Sequence, residues 1–291
     1  MIPVSVLILT RNEQQDLPGC LESVSWCNDV HVLDSDSTDH TQAIARGARA
    51  QVHVRAFDGY ASQRNAGLAL PFQHPWLLIL DADERASAAL AAEIARFIEG
   101  APPSVSAGRI RRRDFWWGRW LRHAQISPYL VRLVRRGKIH YEREVNEVLV
   151  VDGEIRDLAT SFDHYPFSKG LDHWLAKHNV YSRMEAQLIC QGQTLRPSWR
   201  KALLSSDFNE RRLHQKAIFY GLPGRPVIKF LYMMLVRRAF LDGSAGVRYA
   251  LLQSIYEYFI VLKTAEMRRE AALAQAGAAA PANSASGNGS H

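Results

Sequence analysis

Cysteine is scarce: the 291 residues hold only Cys20, Cys27 and Cys190, an odd number with no metal-type spacing. That excludes a disulfide scaffold and a cysteine zinc module, and it suits a reducing compartment. Long apolar runs are absent. No stretch reaches the roughly 18–20 residues needed to cross a bilayer. The first apolar run, residues 4–9, passes straight into polar residues, as a first strand does and a signal peptide does not. A cytoplasmic protein is expected. No internal repeat is present. Acidic residues are the minority charge, 29 against 36 Lys and Arg, a net charge of +7. Such a balance favours an anionic partner: nucleic acid, an acidic membrane surface or a phosphorylated substrate.

What is present is ordinary globular material, 47% hydrophobic and 22% charged, enough for one large domain or two small ones. Residues 4–9, 30–33, 51–55 and 76–80 read as strands. Residues 16–26, 41–48, 60–69 and 86–99 read as helices between them. Strands alternating with helices predict an α/β fold, a mostly parallel sheet flanked by helices. Three strands end in polar or acidic loops: Thr10-Arg11-Asn12-Glu13, the DSDSTD of 34–39, and Asp81-Ala82-Asp83-Glu84. Loops at the C-terminal ends of parallel strands converge in space, so these three share one cleft. Carboxylates at i and i+2, Asp81 and Asp83, suit a hard cation, Mg²⁺ or Mn²⁺, holding a substrate diphosphate.

Residues 106–140 hold ten Arg or Lys and one acid, Asp114, with Trp116, Trp117 and Trp120 among them. Aromatic rings stack on sugars and bases, and arginine forks grip phosphate. Residues 129–134 and 145–151 read as further strands. Residues 171–189 and 199–219 read as helices. The apolar run 226–240 and a helix over 247–269 form a basic, aromatic-rich pair that suits either a membrane interface or packing on the main domain. The Ala-, Gly-, Ser-, Asn- and Pro-rich residues 271–291 are expected to be a disordered tail. The expected divisions are an α/β domain carrying the cleft over 1–165, a helical extension over 166–270 that could meet a membrane surface, and the tail over 271–291.

Four segments in order, VSVLILTRNE, DSDSTD, Gln63-Arg64-Asn65 and LDADE, resemble the family 2 glycosyltransferases, inverting enzymes of the GT-A fold. RRRDFWWGRWLRH, Arg132-Leu133, VNEVL and FLDG further resemble the bacterial lipopolysaccharide-core β-1,4-glucosyltransferase group. The resemblance implies a UDP-hexose donor, glucose in the narrower group, and a divalent cation, Mg²⁺ or Mn²⁺. It implies a glycolipid or lipopolysaccharide-core acceptor met at the cytoplasmic face of the inner membrane. Thr10, Asn12 and Glu13 would meet the nucleoside, and Asp34 the uracil N–H. Arg64 would add to the diphosphate clamp. Asp81 would face the ribose or diphosphate, Asp83 would bind the metal, and His164 would be a second metal ligand. Glu147 would be the catalytic base, with Glu142 and Glu144 as rivals. Related sequences commonly place His-Glu where this chain has Asn146-Glu147. A sugar nucleotidyltransferase is the first alternative, but TRNEQQDLPG is not its Gly-rich phosphate loop. A nucleic-acid-binding or non-catalytic interaction protein is the second. Three acidic strand ends would repel nucleic acid, so none is expected as a partner.

Overall fold

The computed structural model describes residues 2–142, 148–192, 195–205 and 208–279. The chain divides into two compact units, Met1–Gly170 and Leu171–His291.

In the first unit, β1 (Val4–Thr10), α1 (Leu17–Ser23), β2 (Val30–Asp34), α2 (Thr41–Gly47), β3 (Gln51–Val54), α3 (Tyr60–Leu68) and β4 (Trp76–Asp81) alternate as the sequence predicts. They continue into β5 (Glu84–Arg85), α4 (Ala88–Gly100), β6 (Val105–Trp116), β7 (Arg119–Trp120) and β8 (Tyr129–Arg135). β9 (Ile139–Glu142), β10 (Val148–Val151) and β11 (Glu154–His164) follow. The main sheet has the order β3-β2-β1-β4-β8-β6-β11-β5, with β7 paired to β6. The pairs β3–β2, β2–β1, β1–β4 and β6–β11 are parallel, while β8 runs antiparallel between β4 and β6. β9 and β10 form a separate antiparallel ladder.

β1 and β4 are buried on both faces, which is why they read as unbroken apolar runs. Alternate side chains divide between two cores. Val4, Val6, Ile8, Leu78 and Leu80 join Leu17, Cys20 and Leu21 of α1 and Leu90 and Ile94 of α4. On the other face Leu7, Leu77 and Ile79 join Leu33, Phe72, Ala107 and Val134. α4 is capped by Ser87, whose Oγ accepts from the Leu90 N–H, and it ends before Pro102-Pro103.

Apolar periodicity assigns no strand to the arginine-rich residues 105–116. They form β6 because neighbouring acids answer the arginines. Arg109 meets Asp157 at 2.6 Å and Arg113 meets Asp163 at 2.5 Å, both across the β6–β11 ladder. β6 turns into β7 through Trp117 (φ 47°) and Gly118 (φ 73°), a left-handed pair of the kind that closes tight hairpins.

The second unit is helical. It holds α5 (Gly170–Cys190), α6 (Trp199–Leu204), α7 (Phe208–Tyr220) and α8 (Arg225–Leu231). A π-helical turn (Tyr232–Val236), a 3₁₀ turn (Ala239–Asp242) and α9 (Gly243–Ala279) follow. A Cβ at Gly246 would fall 2.0 Å from the Ala239 carbonyl oxygen, so only glycine lets α9 start against that turn. α9 continues through residues 271–279, where the expected tail begins, because EAALAQAGAA is mostly strong helix formers. The remainder of the expected tail, 280–291, lies outside the described residues. Among the described residues no helix is long and apolar enough to cross a membrane.

Candidate active site

The polar ends of β1, β2 and β4 meet at one sheet edge. Parallel register sets Thr10 beside Asp34, and the Thr10 hydroxyl donates to Asp34 at 2.8 Å. Asp34 is wholly buried. It also accepts from the Ser37 N–H (2.8 Å), the Ser37 hydroxyl (2.5 Å) and Gln42 Nε2 (2.9 Å). Asn12 adopts the left-handed conformation that asparagine tolerates (φ 55°). Its N–H donates to Ser37 Oγ at 2.7 Å, and its Oδ1 accepts from the Thr38 N–H at 2.8 Å. The Glu13 N–H donates to Thr41 Oγ1 at 2.7 Å. The first two loops are thereby joined into one surface. One Glu13 oxygen meets Lys169 Nζ at 2.6 Å; the other is buried without a donor. Burial pushes this carboxyl up to about 7 against the pull of Lys169.

The Gln63-Arg64-Asn65 triplet serves three neighbours. Gln63 Nε2 donates to Ser35 in the second loop at 3.0 Å. Arg64 lies 3.7 Å from Asp81 and stacks over the Tyr141 ring. Asn65 donates to the Tyr141 carbonyl and accepts from the Tyr141 N–H, each at 2.8 Å, and so fixes β9.

Asp81 ends β4 and also faces Arg132 of β8 at 2.8 Å. Burial opposes its charge, but Arg132 and Arg64 outweigh it and hold the carboxyl at about 2. Arg132 is buried and lies 2.5 Å from the buried Glu84, whose Oε2 accepts the Asp81 N–H. Burial pushes the Glu84 carboxyl up to about 7 in spite of Arg132.

Asp83 lies in the turn between β4 and β5, and its carbonyl accepts from the Tyr165 N–H at 2.9 Å. β11 pairs with β5 and β6, setting His164 opposite both Glu84 and Asp114. His164 Nε2 faces Asp83 Oδ2 at 3.2 Å, and Nδ1 meets the buried Asp114 at 2.5 Å. Burial works against the imidazolium, yet the two carboxylates raise its pKa to about 9. A carboxylate on Nδ1 orients the ring as proteins orient a ligating histidine, and a metal at Nε2 would displace the proton now shared with Asp83. Among the described residues no group of three or more His, Cys, Asp or Glu is arranged to hold a metal. Asp83 and His164 are a pair, a carboxylate oxygen beside an imidazole nitrogen, which could supply two of the ligands a divalent cation needs.

Thr10, Asn12, Glu13 and Asp34 thus share one surface, Arg64 meets Asp81, and Asp83 meets His164. Asp34 acts first as a loop organiser, since its acceptor positions are filled. Glu147 and its rival Glu144 lie outside the described residues. The other rival, Glu142, is exposed and pairs with His140 at 3.1 Å. Sequence reasoning named Glu84 only as part of the acidic strand end and missed its pairing with Arg132, and it missed Asp114 as the partner of His164. The available signal was that Asp114 is the single acid among ten basic residues in 106–140.

A model of glycosyl transferase family 2 matches residues 5–156. The chain is similar to the lipopolysaccharide core biosynthesis glycosyltransferase LpsC of Rhizobium meliloti (strain 1021), 29% identical over 90% of this chain and 92% of that protein. An uncharacterized glycosyltransferase of Rickettsia felis is 38% identical over 95 residues, 32% of this chain and 33% of that one. Glucosyl-3-phosphoglycerate synthase from Mycobacterium tuberculosis, crystallised with Mg²⁺ and UDP, matches at 19% identity with a TM-score of 0.32. That match covers 40% of this chain and 44% of the other.

Proposed function

The chain belongs to glycosyl transferase family 2, and on that premise we propose that it moves a hexose from a UDP-sugar, with inversion, to a glycolipid hydroxyl. The acceptor class is the lipopolysaccharide core, in keeping with the name of the Rhizobium relative. The hexose is glucose, in keeping with the narrower sequence resemblance. The observation that carries the reading is the meeting of the Thr10–Asp34 surface, the Arg64–Asp81 pair and the Asp83–His164 pair at one sheet edge.

Asn12 and Glu13 line the nucleoside side, on loops that Thr10 and Asp34 hold in place. The second Glu13 oxygen, buried without a donor, offers a position for a ribose hydroxyl. Arg64 reaches the diphosphate from α3, while Asp81, held ionised, keeps its guanidinium in place. Asp83 and His164 would hold Mg²⁺ or Mn²⁺, whose chemistry when bound is to neutralise charge on the departing UDP. The mixed carboxylate–imidazole set favours Mn²⁺ over Mg²⁺. Inversion needs a base that takes the acceptor hydroxyl proton as the anomeric carbon is attacked, and Glu147 is assigned that role.

The helical unit supplies contact with the cytoplasmic face of the inner membrane. Val227, Leu235 and Val236 are 62%, 69% and 68% exposed, and Leu231 lies one turn along between them. Spacing of four residues puts Val227, Leu231 and Leu235 on one stripe, followed by Arg237 and Arg238.

UDP release from a panel of UDP-sugars, with and without Mn²⁺ or Mg²⁺, tests the proposal. Metal-dependent turnover of one UDP-hexose is expected. No binding and no turnover of any sugar nucleotide overturns it.

A further inference from the structure

We infer that the β6–β7 hairpin carries a second anion site, built from Arg111, Arg113 and Arg122 round Trp120, that binds a phosphate group on the acceptor. The guanidinium carbons of Arg111, Arg113 and Arg122 lie 5.8, 5.6 and 5.6 Å from the centre of the Trp120 ring. An aromatic face attracts one cation well. Three cations on one indole repel each other, and only partial relief is built in. Arg113 has Asp163. Among the described residues Arg111 and Arg122 have no carboxylate partner. Arg111 Nε and Trp120 Nε1 are buried N–H donors with no acceptor.

Such unanswered donors are rare in folded proteins and costly to keep. Everything this cluster lacks is of one kind: acceptor oxygens carrying negative charge. A carboxylate brings two oxygens and one charge. A phosphate monoester brings three terminal oxygens and up to two charges, matching several guanidinium forks and an indole N–H. Arg122 is exposed, so the cluster is open to solvent on its side. The donor diphosphate has its own cation in Arg64 at Asp81, on a different element. The inference rests on the sugar-transfer reading only for assigning this phosphate to the acceptor.

The test is a tryptophan-fluorescence titration of the full chain with inorganic phosphate, at constant ionic strength, with the protein saturated in UDP and Mg²⁺. Saturable binding is expected, absent with chloride. The double variant Arg111→Gln, Arg122→Gln should bind phosphate at least about tenfold more weakly, with UDP affinity unchanged. Arg122→Gln alone, on an exposed side chain, carries the test if the double variant fails to fold, and it should also weaken phosphate binding. Vesicles of phosphatidylglycerol and of phosphatidylcholine form the second arm. No saturable phosphate response overturns the inference, and so does one indifferent to the arginines. Arginine-dependent vesicle binding without phosphate binding overturns it in favour of a lipid surface. Failure of UDP binding in the unmodified protein would instead strike the sugar-transfer reading.

Discussion

Replacing Arg132 by methionine keeps an apolar stem against the Phe162 ring and removes the charge between two acids. Arg132 is buried, 2.8 Å from Asp81 and 2.5 Å from the buried Glu84. Deleting one partner of a buried ion pair costs ~3–5 kcal/mol, because the other is left uncompensated. In a unit of this size each kcal/mol moves the unfolding midpoint by roughly 2–4 °C. The expected fall is therefore roughly 6–20 °C. Its pH dependence has a definite sign. The folded Glu84 carboxyl sits at about 7, above its ordinary 4.5. Between those values the folded chain holds a proton that the unfolded chain has released, so the contribution of Glu84 to stability falls as pH rises through that window. Without Arg132 the carboxyl moves higher still, and the fall continues above pH 7. Each group adds at most about 1.4 kcal/mol per pH unit. At mildly acidic pH Glu84 is protonated in both proteins and the gap between them narrows. Circular-dichroism melts at acidic, neutral and alkaline pH measure it. A midpoint close to the unmodified protein's throughout, or a gap that ignores pH, refutes the reasoning.

Asp83→Ala should abolish Mn²⁺ binding, read from the free-ion signal in electron paramagnetic resonance. Asp114→Ala should weaken Mn²⁺ by about 10–100-fold through a poorly held His164. Unchanged affinity would reduce Asp114 to a support for the fold. Glu147→Gln should retain UDP-sugar binding in calorimetry and lose transfer, while retained transfer would move the base elsewhere. Leu235→Glu with Val236→Glu should leave the melting midpoint within about 0.5 kcal/mol of stability, as surface changes do. The same pair should lower co-sedimentation with phosphatidylglycerol vesicles, and undiminished co-sedimentation would remove this stripe from the membrane contact.

Much of the first unit was legible because its driving force is local in sequence. Residues 76–80 are an apolar run, and the acids at their end announce a sheet edge. That rule singles out Thr10, Asn12, Glu13, Asp34, Asp81 and Asp83, which lie at the ends of β1, β2 and β4 on one sheet edge. What was not legible depends on partners far along the chain. Arg132 and Glu84 are 48 positions apart and Asp114 and His164 are 50 apart, and no periodicity links them. β6 was unreadable for the same reason: its arginines look like a solvated surface until Asp157 and Asp163 arrive on β11. Asp34 reads in the sequence as a polar strand end, but its burial and its four donors come from the loops around it.

The triplet on α3 has a consequence for how this chain tolerates change. Gln63, Arg64 and Asn65 are consecutive, so about 100° of helix rotation separates each from the next. One residue holds the second loop, the next meets the carboxylate of β4, and the third grips both backbone groups of Tyr141. Exchanging any one of them loosens one joint. Adding or removing a single residue earlier in α3 turns all three away together. The spacing of this helix therefore tolerates less change than any one of its side chains.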